Sequence, residues 1–267
     1  MNGQQILKKY LVISLILGLV SNSCAQEHKR NCLSYFVDDV LHTSVDFNRE
    51  VFFSWDSLKV IVIFTPLYVT ARLIDQNIHN RFYCPQHHKN INQLPRCCYN
   101  FADVGLPIAL VGLSMLSLYP YNDELQATAQ VFAVSLPFTW IGKKILKTFK
   151  TPGSLRPPNQ LFNKHKRTFG GCPSGHMMEA VYMATLFGMR LGPKWGVPLG
   201  IFAAALFVDF TTCNRHFLSQ LIAGAGLGVI YAVAANKVIT TKLSCDFSCT
   251  IVPEPCGLPS VQFCYRF

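Results

Sequence analysis

Residues 172–220 read CPSGHMMEAVYMATLFGMRLGPKWGVPLGIFAAALFVDFTTCNRHFLSQ, and this stretch decides the fold. From His176 the chain can run as one helix to Arg190, turn through Leu191-Gly192-Pro193-Lys194-Trp195, and return as a second helix by Val208. That antiparallel pair brings residues 213–220 back to the end where His176 lies. Working outward, uncharged apolar runs recur at approximately 60–69, 104–121, 127–142, 180–189, 195–208 and 217–236. Each is long enough for a helix, and the second and last reach the roughly 18–20 residues that a bilayer requires. No strand-like alternation and no internal repeat interrupts them. The chain therefore reads as an all-α helical bundle with about six membrane-embedded helices. A soluble bundle of buried helices is the competing reading for the shorter runs.

Composition agrees. Of 267 residues, 50% are hydrophobic and only 14% charged, where soluble domains carry about 25% charged residues. Disordered, coiled-coil and collagen-like chains are excluded on that ground. The net charge of +10 suggests an anionic partner: phosphate, anionic lipid or nucleic acid. Nucleic acid is the poorest of the three. The basic runs at 143–150 and 164–167 have few aromatics near them and carry no recognisable motif, so they read as basic juxtamembrane loops.

Residues 1–25 read as a signal peptide or N-terminal anchor. Lys8 and Lys9 precede the uncharged run 10–20, followed by Ser21-Asn22-Ser23-Cys24-Ala25, with cleavage expected after Ala25. Cys24 as a lipidated cysteine is the alternative, weakened by Ser21 where that signal prefers an aliphatic residue. Ten cysteines remain: Cys32, Cys84, Cys97, Cys98, Cys172, Cys213, Cys245, Cys249, Cys256 and Cys264. An even, high count fits disulfides in an oxidising compartment. Cys84, His87, His88, Cys97 and Cys98 are a weaker metal reading, because their spacing is irregular and adjacent cysteines suit one tetrahedral ion badly. The helical bundle spans 26–239, and 240–267 forms a Cys-rich tail. Val261, Phe263, Tyr265 and Phe267 share one face of a possible strand there, expected as a disulfide-pinned strand on the bundle.

Three short pieces carry the chemistry: Lys150-Thr-Pro-Gly-Ser-Leu-Arg156-Pro157, Cys172-Pro173-Ser174-Gly175-His176-Met177, and Asn214-Arg215-His216-Phe217-Leu218-Ser219-Gln220. In the second, Pro-Ser-Gly sets a permissive turn before a helix, whose free N–H groups and dipole make an anion cradle. A histidine on the first turn can face that anion and give up a proton. Ser174 as a plain helix cap, with His176 a solvated neighbour, is the blander reading of this piece alone.

The ordered trio resembles the type 2 phosphatidic acid phosphatase superfamily, whose pattern is Lys-x6-Arg-Pro, then Pro-Ser-Gly-His, then Ser-Arg-x5-His-x3-Asp. The resemblance covers about 149–235 and the apolar helices before it. It implies that His216 is the nucleophile that forms a phosphohistidine and that His176 is the acid that protonates the leaving alkoxide. It further implies that Arg156 holds phosphate oxygens, and that Ser174 and Gly175 cradle the anion. Covalent catalysis divides ester hydrolysis into two easier steps, and fixed side-chain cations can stabilise the transferring group, so no metal or other cofactor is expected.

The match has departures. The motif lysine falls on Phe149, with Lys150 one residue out of register. The third-motif Ser-Arg falls on Asp209 and Phe210, so Arg215 is the cation expected to stand in. The final Asp is Gln220, as in the glucose-6-phosphatase branch, where an amide orients the imidazole. A Cys172–Cys213 bridge is expected between the catalytic loops. The expected function is a phosphatase for phosphate monoesters or pyrophosphates, with a phosphorylated lipid or small phosphate ester as partner. Its catalytic face would be extracytoplasmic in a membrane, because Arg190 and Lys194 satisfy the positive-inside rule at the far end. An odd number of later crossings would then put the cysteine tail in the cytoplasm, against disulfides there. The alternatives are a soluble periplasmic acid phosphatase and a degenerate phosphate- or lipid-binding protein of the same fold.

Overall fold

The computed structural model describes residues 32–84, 89–90, 101–118, 122–158, 168–244, 247–252 and 260–265. The segment 1–25, with Cys24, lies outside them, as do His87, His88, Cys97, Cys98, the basic run 164–167 and Phe267. Among the described residues there are seven α-helices: α1 Cys32–Phe53, α2 Trp55–Phe82, α3 Leu106–Met115, α4 Asp123–Thr148, α5 Gly175–Leu191, α6 Pro193–Thr212 and α7 Leu218–Ser244. Two antiparallel hairpins accompany them: β1 Tyr83–Cys84 with β2 Lys89–Asn90, and β3 Phe247–Val252 with β4 Ser260–Tyr265. The all-α bundle is as expected.

The hairpin of α5 and α6 forms as its sequence dictates. Gly192 closes α5 with φ +79°, a conformation that Cβ-bearing residues rarely adopt. Pro193 then opens α6, where its missing N–H costs no hydrogen bond. Around this pair the core is apolar and aromatic. Phe132 of α4 packs against Tyr182 and Phe187 of α5 at 5.1 and 5.4 Å between ring centroids. Tyr182 is fully buried, and its hydroxyl bonds Ser135 Oγ at 2.5 Å, which satisfies both groups.

Among the described residues, three helices are long and apolar enough to cross a bilayer: α2, α6 and the stretch Leu218–Thr241 of α7. On α2, Trp55, Ile61, Val62, Ile63 and Leu73 are exposed, as are Val197, Ile201 and Val208 on α6. An exposed apolar belt of this extent marks a face that does not meet water.

Two sequence expectations change in form. The run 104–121 is not one spanning helix: residues Phe101–Gly105 are a π-helical turn, α3 has 10 residues, and Leu116–Leu118 is a 3₁₀ turn. Ser114 and Ser117 bond back to Leu110 and Ser114 carbonyls. In the tail, β4 is no lone strand but pairs residue by residue with β3, Val252 opposite Ser260 and Phe247 opposite Tyr265.

Candidate active site

The three motif pieces converge at one end of the bundle, stitched by backbone bonds. Arg156 N–H donates to the Thr168 carbonyl at 2.8 Å, Gly171 N–H to Ser154 at 2.7 Å, and Ser174 N–H to Gln220 at 3.1 Å. At the opposite end Arg190 pairs with Glu124 at 3.1 Å and bonds Thr240 at 3.1 Å. The site end is therefore the end where α4 and α6 finish and α5 and α7 begin.

His216 lies in the turn between α6 and α7 and is buried. Asn214, two residues earlier, takes φ 52° to make that turn. Gln220, one turn into α7, fixes the imidazole. Its Nε2 donates to the carbonyls of Gly153 and Leu155 at 3.1 and 2.8 Å, and its Oε1 accepts from Phe217 N–H at 3.3 Å. The amide orientation is thereby set. The contact of Oε1 with His216 Nδ1 at 3.2 Å requires Nδ1 to carry the proton, which leaves the lone pair of the neutral ring on Nε2. Gly171 makes room for this amide: a Cβ there would come within 2.6 Å of Gln220 Oε1.

Burial, with Arg156, Lys147 and Arg215 nearby, holds the His216 imidazole well below its ordinary value of 6.5, against the pull of Gln220. It is neutral at pH 7. Arg156 is half-buried and feels Arg215 as a like charge. The cations thus crowd one point, a cost that an anion in the site would relieve. The lysine of this cluster is Lys147, in the last turn of α4, whereas Lys150 is exposed beyond the helix and is not among the charges acting on His216. Lys143, one turn earlier, is bonded to buried Glu179 of α5 at 2.5 Å.

His176 opens α5, half-buried, with Nε2 3.5 Å from Asp103 Oδ1. Arg215 is buried, donates to the same Oδ1 at 3.0 Å, and has its guanidinium carbon 4.7 Å from the centre of the Phe210 ring. Phe210, which holds the place of the motif arginine, also contacts both imidazoles, at 5.6 Å from His176 and 5.8 Å from His216. Ser174 occupies the N-cap of α5, yet its fully buried hydroxyl makes no capping bond and has no hydrogen-bond partner in the structure. The plain-cap reading is therefore not realised. Gly175 packs against the Lys143 side chain so closely that a Cβ would collide with it.

The expected Cys172–Cys213 bridge is absent. Cys213 donates to Asp209 Oδ1 at 3.4 Å, while Cys172 bonds Tyr68 of α2. The two cysteines flank the histidines in sequence but face different neighbours. No cluster of three metal-ligating side chains occurs among the described residues.

Sequence reasoning missed a polar stripe on α2. Asp75 accepts from Ser219 N–H at 2.9 Å and from Ser219 Oγ at 2.5 Å, so it caps α7 across the fold. Arg72 pairs with Asp75 at 3.2 Å, and His79 Nδ1 lies 2.7 Å from Asn214 Oδ1. The spacing 72, 75, 79 puts all three on one helix face, and that face holds the turn bearing His216.

A family model described as the PAP2 superfamily matches residues 108–244, more than half of the chain. No curated protein matches. Among solved structures, the chain is similar to the crystal structure of the first transmembrane PAP2 type phosphatidylglycerolphosphate phosphatase from Bacillus subtilis. Identity is 17% and the TM-score 0.49, and the match covers 71% of this chain and 98% of that one.

Proposed function

The chain belongs to the PAP2 superfamily, and from that premise we propose that it is a phosphatase hydrolysing phosphate monoesters or pyrophosphates of lipids through a phosphohistidine. The observation that carries the reading is the amide of Gln220, which puts the proton on His216 Nδ1 and leaves Nε2 as a nucleophile amid Lys147, Arg156 and Arg215. The Nε2 lone pair attacks phosphorus, an N–P bond forms, and the ester P–O bond breaks. Protonated His176 gives its proton to the leaving oxygen. Water then attacks the phosphohistidine, neutral His176 takes the proton from that water, and the N–P bond breaks to release phosphate and restore His216. Arg156, Lys147, Arg215, the Ser174 hydroxyl and the first-turn N–H groups of α5 bear the charge on the phosphoryl oxygens.

An apolar groove of about 330 Å³ favours a lipid-borne phosphate. It runs between α2 and α7 past Ile61, Phe64, Leu227 and Ile230, and ends at Tyr68, Cys172 and Pro173, beside the motif loops. One hydrocarbon chain would lie there with its headgroup at His216. Three apolar helices support a membrane position, and Arg190 and Lys194, at the end away from the site, support an extracytoplasmic catalytic face.

Purified protein assayed on phosphatidic acid, an isoprenyl pyrophosphate and a chromogenic monoester tests the reading. Hydrolysis that disappears in both His216→Ala and His176→Ala supports it. Phosphate-ester binding with no turnover, unchanged by His216→Ala, would instead indicate a degenerate binder, the reading that Phe210 at the motif-arginine position favours.

A further inference from the structure

The carboxylate of Asp103 touches two of the site's side chains, and neither the sequence motifs nor the family match at 108–244 includes it. We propose that Asp103 is a positioning residue of this site, holding the Arg215 guanidinium and the His176 imidazole around the phosphate position through a single carboxylate oxygen. The proposal rests on the phosphatase reading given above.

The geometry explains how the chain works without its motif arginine. Phe210 stands at that position and has no charge to offer. Its ring forms a floor for the guanidinium of Arg215, reached from the opposite side of the turn, at 4.7 Å. A ring face alone does not fix the direction of the guanidinium. Asp103 Oδ1, 3.0 Å from Nη2, supplies that direction, and it comes from a different element, the π-helical turn Phe101–Gly105. The same oxygen lies 3.5 Å from His176 Nε2. A carboxylate so placed favours the imidazolium, which is the form a general acid needs before the leaving group departs.

The charged groups facing His176 come from several elements. Arg215 approaches from the turn after α6, and Asp209, near the end of α6, acts on both Arg215 and Asp103. From α4, Lys143 reaches the neighbouring Gly175 and is itself paired with Glu179 of α5. The ring of Phe210 covers one side of the imidazole. Asp103 is an anion in direct contact with His176, and the positive groups nearby oppose protonation. Removing the carboxylate lowers the pH at which His176 loses its proton.

The test compares the wild-type chain with Asp103→Asn and Asp103→Glu in detergent micelles, through the pH profile of kcat/KM on phosphatidic acid. The alkaline limb should move down by about 1 pH unit in Asp103→Asn, with kcat falling more than KM rises, and Asp103→Glu should restore part of both. An alkaline limb that stays in place in Asp103→Asn, with only a uniform loss of rate, overturns the proposal. A second readout separates it from the phosphatase reading. His176 titration followed by NMR of ¹³C-labelled histidine, assigned with His176→Asn, should show the same downward shift even if the wild type hydrolyses nothing. Absence of hydrolysis with a shifted His176 leaves the placement of Asp103 standing and removes the enzyme, whereas an unshifted His176 removes the placement itself.

Discussion

At the scale of single residues, the account turns on the protonation of His216. A nucleophilic imidazole must be neutral, and burial with three cations around it keeps it so. Because its folded value is depressed, activity should persist as pH falls through 6.5 and fail only on a limb well below that. Lys147→Met removes one of the depressing charges, so that limb should move to higher pH by roughly half a unit to one unit. The pH profile of kcat/KM checks it, and Lys150→Met, which changes an exposed lysine, should leave the limb where it is. His216, His176 and Arg156 were legible in the sequence because each stands in a short motif. Lys147 was not: the motif register pointed to Phe149 and Lys150, and only the continuation of α4 to Thr148 brings Lys147 to the cluster. Asp103 had no signal at all, since its two partners are far along the chain and its π-helical turn cannot be read from an apolar run.

At the scale of elements, α2 and the start of α7 are joined by buried polar bonds rather than by apolar contact alone. Asp75→Ala would leave the buried Ser219 N–H and hydroxyl without an acceptor, at a cost of about 1–3 kcal/mol. Thermal unfolding in detergent should show the loss, together with a fall in kcat, because Ser219 adjoins Gln220 and Gln220 orients His216. His79→Leu should act in the same direction on Asn214. The hairpin of α5 and α6 was readable from its apolar period and its Gly-Pro turn. The 104–121 run misled because composition alone does not reveal the π-helical turn at 101–105 or the 3₁₀ turn at 116–118, where serine hydroxyls bond back to helix carbonyls. α2 was read as only ten apolar residues since Asp56, Lys59, Arg72 and Asp75 interrupt the pattern, yet two of these face a polar partner inside the fold. The Cys172 and Cys213 thiols bind Tyr68 and Asp209, not each other. A Cys172→Ser, Cys213→Ser double variant should accordingly keep most of its activity.

At the scale of the whole molecule, the site stands at one end of a bundle whose flanks are apolar. Membranes washed with high salt should retain the protein, and cysteine-directed labelling tests its orientation. In intact cells an impermeant reagent should modify Thr168→Cys, at the site end, and not Lys194→Cys, at the far end. The reverse pattern would place the catalytic face in the cytoplasm. A rapid acid-free quench of turnover on ³²P-labelled phosphatidic acid, followed by peptide mapping, would trap the phosphohistidine itself. An acid-labile, base-stable label is expected on the peptide containing His216, absent in His216→Ala. Sustained hydrolysis with no such label, or a label at His176 instead, would contradict a phosphohistidine at His216.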